Sequence, residues 1–252
     1  MRKMTINFVK ADLRMSHLVF WDWVFPIILI LVVSIFLRGS ETALFLFPGL
    51  LSMIIFQSII FSIPNRFALF NEQGILKLVR EKGDFFKLVI SFFISRVLIV
   101  VLQIASMLAM GKWIMEVPLK VSVGLTVLST LLSVVVFFLI ATLCGVLVKT
   151  QNSALGIAQA LYFIFLGVSG TVYPLEKGPE WLAVLSKLSP FTYLNELWDG
   201  AVYSTEINLI SNVVAPLVIA LVVGVGLYMF GRKRMNKNYI EKKEVTLHEN
   251  YS

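Results

Sequence analysis

Six long apolar stretches, at 21–37, 42–63, 85–110, 121–148, 153–173 and 207–230, divide this chain and restrict it to a membrane-spanning fold. An α-helix rises 1.5 Å per residue, so a hydrocarbon core of about 30 Å needs about 20 apolar residues. Five stretches meet that length, and the first does so once Trp21, Asp22 and Trp23 sit in the headgroup zone as its inner anchor. Backbone groups in hydrocarbon must bond within their own segment, so the spans are helices. Polar and apolar residues do not alternate, which excludes a transmembrane barrel. The expectation is an all-α membrane protein with six transmembrane helices in a single domain, 1–252. With 58% hydrophobic residues and 15% charged, little chain remains to fold outside the bilayer.

Charge placement sets the orientation. Most Lys and Arg fall in 1–20, the 64–84 loop, the 149–152 turn and the 231–252 tail. The opposite side holds only Arg38, Lys112, Lys120, Lys177 and Lys187, outnumbered by Glu41, Glu116, Glu176, Glu180, Glu196, Asp199 and Glu206. Basic residues are retained in the cytoplasm, so both termini are expected inside a plasma membrane crossed several times. The net charge of +7 thus reflects topology and anionic lipid, and nucleic acid is not an expected partner. No signal peptide is expected, because 1–20 lacks an apolar core before a small-residue cleavage site.

Between the spans, three segments carry information. Residues 5–20 place Ile6, Val9, Leu13 and Val19 among basic residues, as in an amphipathic helix lying on the inner surface. Within 64–84, Gly74 and Gly83 bracket a short amphipathic segment. It suits either a helix facing a cytosolic partner or one anchored on headgroups. The outer stretch 174–206 reads as two short helices broken at Ser189-Pro190, a re-entrant hairpin before the last span. An interfacial aromatic belt is the alternative.

No catalytic or metal-binding constellation is expected. His17 and His248 are the only histidines, and Cys144 is the only cysteine, placed inside the fourth span as a small buried hydrophobe. The segment from Gly226 to Lys233 lacks the Lys-Ser/Thr ending of a phosphate loop, so no cofactor is expected on this chain. Arg96 lies about 11 residues into the third span, roughly 16 Å deep. A charge there costs at least about 2.5 kcal/mol unless it finds water or partners. It either lines a cavity or bonds Gln57, Gln103 or Gln159, with Glu196 and Asp199 of the outer hairpin as further candidates. No acidic residue is expected deep in a span, which disfavours a carboxylate relay.

The outer stretch carries a resemblance. Ser169-Gly170, Pro174, Glu176, Pro179, Trp181-Leu182, Pro190 and Tyr193 resemble the C-terminal signature of the type-2 ABC exporter membrane domains. The resemblance covers essentially the whole chain. It implies two permease copies, identical or homologous, and separate ATP-binding cassette subunits that carry ATP and magnesium. It also implies that the loop after the second span contacts the ATPase through a coupling helix. Glu72, Gly74, Ile75, Leu76, Lys77 and Leu78 match the family pattern there, whereas Lys82-Gly83-Asp84 replaces a later proline. The path would run between the copies, lined chiefly by spans one, two and five. Small residues from Ala154 to Gly170 suit that contact or packing within one bundle.

The leading function is therefore the permease of an ATP-driven exporter of an antibiotic, toxic peptide or other amphiphile, with a drug-resistance role. Alternatives are export of a lipid-linked polysaccharide or teichoic-acid precursor, and a non-transporting immunity or sensor protein. A membrane-embedded lipid enzyme is disfavoured by the lack of paired intramembrane carboxylates or histidines.

Overall fold

Pro26 decides how the first span begins. Lacking an N–H, it cannot serve the Asp22 carbonyl four residues earlier. The computed structural model describes residues 2–171, 178–223 and 225–226, and in it the chain makes a π-helical turn at Phe20–Val24. Phe25 N–H returns there to the Phe20 carbonyl. This opens the Trp21 and Asp22 carbonyls to donors from other helices. Gln57 Nε2 donates to Trp21, and Gln103 Nε2 donates to Asp22 at 2.6 Å.

All described elements are helices: α1 (Arg2–Arg14), α2 (Ser16–Val19), the π turn, α3 (Phe25–Leu37), α4 (Glu41–Glu72), α5 (Ile75–Glu81), α6 (Phe85–Trp113), α7 (Val123–Leu147), α8 (Gln151–Val168), α9 (Glu180–Ser186) and α10 (Pro190–Tyr203). A further apolar helix, α11, covers Leu209–Val223. Five described helices are long and apolar enough to cross a membrane: Phe20–Leu37, α4, α6, α7 and α8. The sixth stretch, 207–230, is described only in part, and the tail 231–252 lies outside the described residues.

The second span, α4, is the centre of the bundle. It is apolar on every side and buried without interruption from Phe47 to Ala68. Its main neighbours are α7, α8 and α10. The short turn between α7 and α8 does not make them close neighbours, because both pack on α4 instead. Ser40 caps α4 by accepting from Ala43 N–H at 3.2 Å. Pro48, inside the helix, leaves the Leu44 carbonyl without its donor. Tyr203 Oη, from the end of α10, donates to that carbonyl at 2.9 Å. Gly145 lets α7 approach closely, since a Cβ there would lie 2.8 Å from Phe67 Cδ2.

The N-terminal helix packs on the bundle through a face that includes a charged residue. Its inward face is Thr5, Phe8 and Asp12, while Ile6 and Leu13 point outward. A helix bordered by lipid has no need to hide apolar side chains, so the buried face is chosen by what needs a partner. α1 accordingly packs against α6.

The two outer helices also divide their roles. They break at Ser189-Pro190 as anticipated, with α10 starting at Pro190. Phe191 packs among Phe56, Phe137 and Phe165, and Leu194, Leu197 and Trp198 are fully buried. Thus α10 belongs to the bundle core. By contrast, α9 leaves Trp181, Val184 and Leu185 exposed, as is Leu188 just after it.

Candidate functional site

Arg96 has carboxylate partners, but they are Asp12 and Asp22 and not the two the sequence suggested. It sits on α6, fully buried. Its Nη1 donates to Asp22 Oδ2 at 3.0 Å and to Ser58 Oγ at 3.1 Å, and its Nη2 lies 2.6 Å from Asp12 Oδ2. Asp12 also pairs with Arg66 of α4, which donates Nε to it at 3.1 Å and Nη2 to the Phe8 carbonyl at 3.0 Å. The Arg66 guanidinium lies over the Phe8 and Phe92 rings, 5.2 and 5.6 Å from their centroids. Two arginines and two aspartates form one neutral buried cluster. It ties α1 and the π turn to α4 and α6.

Several expectations are corrected by this cluster. Asp22 is not a headgroup anchor but a buried acidic group in the first span, turned inward by the π turn. Arg96 is enclosed by its partners within the single chain, and Glu196 and Asp199 lie elsewhere, around a separate pocket. Of the three glutamines considered, Gln57 and Gln103 hold the π turn and Gln159 is exposed. Tyr162 Oη of α8 donates to Gln57 Oε1 at 3.1 Å. Through Gln57, the first and fifth spans share one buried amide. The signal for Asp12 and Asp22 was present in the sequence: two acids close to the first span, and two arginines in or beside later ones.

At one end of the bundle, α4 ends at Glu72 and α5 begins at Ile75. Gly74 between them has φ +69°, a left-handed conformation that disfavours side chains with a Cβ. Leu76 is buried and Ile75 partly so, while Lys77 and Leu78 are exposed. The segment is therefore two-faced, held by Leu76 and presenting Lys77 and Leu78. Gly83 repeats the device at the far end with φ +70°. Beyond it, Lys87 Nζ lies 2.6 Å from Asp84 Oδ1 and holds that carboxyl below the usual carboxylate range. Glu72 itself bonds across this end of the bundle to α8. Its Oε1 accepts the Gln151 backbone N–H at 2.9 Å and its Oε2 accepts Gln151 Nε2 at 3.0 Å. Asn71 Nδ2 reaches the Lys149 carbonyl at 3.4 Å.

At the opposite end, Gly170 has φ +71° just after α8, and Pro179 is the N-cap residue of α9. Trp181 is exposed, Pro190 is buried, and Tyr193 Oη donates to the Lys187 carbonyl at 3.0 Å. Pro174 and Glu176 lie outside the described residues. A pocket of about 580 Å³ opens between α4, the end of α8, and α10 with its following turn; its lining includes Thr171, Asn195, Glu196, Asp199 and Glu206. Arg38 and Glu116 pair across neighbouring outer turns.

A family model described as ABC-2 type transporter matches residues 4–203, and the chain belongs to that family. No curated protein matches the chain. It is a multi-pass membrane protein and a permease component of an ABC transporter, in a family that normally pairs with an ATP-binding subunit.

Proposed function

We propose that this member of the ABC-2 type transporter family is half of an ATP-driven exporter that moves an antibiotic, toxic peptide or other amphiphile outward. The family match over most of the chain carries this reading. A separate subunit supplies ATP hydrolysis, and both termini of the permease face the cytoplasm. That subunit docks on α5, whose exposed Lys77 and Leu78 sit between two glycines in left-handed conformations.

A second permease copy completes the path. Because α4 is enclosed by its own bundle, α3 and α8 are left to face that copy. α8 supports this role, with Ser153, Gly156, Ala160 and Gly167 exposed along one side. A Cβ added at Gly156 or Gly167 would meet nothing within 4 Å. Small residues allow close helix approach in lipid, where packing replaces the hydrophobic effect. Closure of the ATP-binding subunits then shifts one bundle against the other, which requires contacts that differ between the two states.

The test is co-purification with a candidate ATP-binding subunit, followed by ATP hydrolysis in nanodiscs with a panel of antibiotics and amphipathic peptides. Stimulation by a panel member is the expected result. A subunit that fails to bind, or hydrolysis unmoved by every amphiphile, would defeat the reading.

A further inference from the structure

Glu72 matches the family's coupling pattern, yet both of its carboxylate oxygens are engaged within the chain. They accept the backbone N–H and the side-chain amide of Gln151. Gln151 is the first residue of α8, preceded by Thr150 as N-cap, whose hydroxyl accepts from Ser153 N–H at 3.3 Å. The first N–H groups of a helix have no partner within it, and they carry the positive end of its dipole. A carboxylate placed there answers both needs. Glu72 is also the last residue of α4 and stands just before Gly74.

We propose that Glu72 is a positioning residue: it ties the root of α5 to the foot of α8, so that a push on α5 reaches the fifth span through Gln151. The proposal rests on the permease reading and assigns Glu72 an internal partner in place of a contact on the ATP-binding subunit. The packing of α8 makes such a tie useful. Its buried contacts include Ala154 and Ala158, which present little relief to resist sliding along a neighbour. Two polar links then set its register on α4: Glu72 to Gln151 at the foot, and Tyr162 to Gln57 deeper in. The Lys149 carbonyl, bonded by Asn71, draws the whole 149–151 turn into the same surface. A glutamine at position 72 puts an NH2 donor where one of the two engaged oxygens stands, so in this geometry it keeps one of the two Gln151 bonds and sets two donors against each other at the second. The bonds are solvent-exposed, and their loss leaves the fold intact while freeing the foot of α8.

The experiment compares Glu72→Ala, Gln151→Ala, the double variant and Glu72→Gln, each expressed with the ATP-binding subunit. Each alanine variant should keep the subunit bound and lower transport per ATP hydrolysed on the order of tenfold. The double variant should be no worse than either single, and Glu72→Gln should fall between. Loss of the subunit in Glu72→Ala but not in Gln151→Ala would make Glu72 a docking contact and overturn the proposal. So would normal transport by Gln151→Ala, or multiplicative losses in the double variant. A second measurement uses the permease alone: hydrogen exchange of the peptide spanning 149–156 should accelerate in Glu72→Ala. Unchanged exchange refutes the tie. Faster exchange in a chain that binds no ATP-binding subunit would instead count against the permease reading and leave the tie standing.

Discussion

Replacing Arg96 with leucine should unfold the protein more readily before it affects transport in any specific way. The guanidinium is fully buried and engages Asp22 at 3.0 Å and Asp12 at 2.6 Å. Without it, Asp12 keeps Arg66, and Asp22 loses the one arginine it is bonded to. Removing one partner of a buried ion pair costs about 3–5 kcal/mol. At about 2–4 °C per kcal/mol for a chain of this size, the melting temperature in detergent should fall by roughly 6–20 °C. A double variant, Arg96→Leu with Asp22→Leu, removes the stranded charge together with its partner. Replacing a buried pair with apolar side chains is often neutral, so the double variant should recover most of the loss. Melting can be followed by fluorescence-detected gel filtration of detergent extracts. Two outcomes would refute the reasoning: an Arg96→Leu protein within about 2 °C of the original, or a double variant as unstable as the single.

Asp12→Asn should release α1 from α6 and speed hydrogen exchange across residues 2–14; exchange as slow as in the original chain would show that lipid, not the cluster, holds that helix. Gly145→Val should destabilise the bundle by about 1–3 kcal/mol through collision with Phe67, whereas Gly156→Val, which has open space around it, should leave the melting temperature of the single chain unchanged. Equal losses in the two would mean that α7 does not approach α4 as described. Cysteines placed at Lys77 and Glu180 should react with impermeant maleimide from opposite sides of the membrane, Glu180→Cys from outside; labelling of both from one side would overturn the orientation.

Helix positions were readable because a span must be long and apolar, and the ends of α3, α4 and α10 carry turn or capping residues at Gly39, Ser40 and Pro190. The inward faces were not readable from hydrophobicity. In a bundle surrounded by lipid, Ile35 and Phe36 can be exposed while Asp22 and Arg96 are buried. Apolar periodicity, which marks the core of a soluble helix, therefore does not reveal that α1 turns Thr5, Phe8 and Asp12 toward the bundle while Ile6 and Leu13 point outward. The polar residues are the better guide, since Gln57, Ser58 and Arg66 on α4 all turn toward groups that need them. The π turn follows from Pro26, but its two rescuing amides come from other helices, and no local pattern announces them. At Glu72 the sequence does not reveal that the carboxylate's partner is Gln151, 79 positions away.

The central placement of α4 also bears on how the protein is made. Synthesis brings α4 into the membrane before α7, α8 and α10, the helices that later enclose it. During that interval, Gln57 cannot yet receive the Tyr162 hydroxyl, and the Leu44 carbonyl bared by Pro48 awaits Tyr203. Arg66 is better provided, because Asp12 has already emerged when it appears. The N-terminal helix thus acts first as an escort for the nascent second span, neutralising its one cation until Arg96 arrives to complete the cluster.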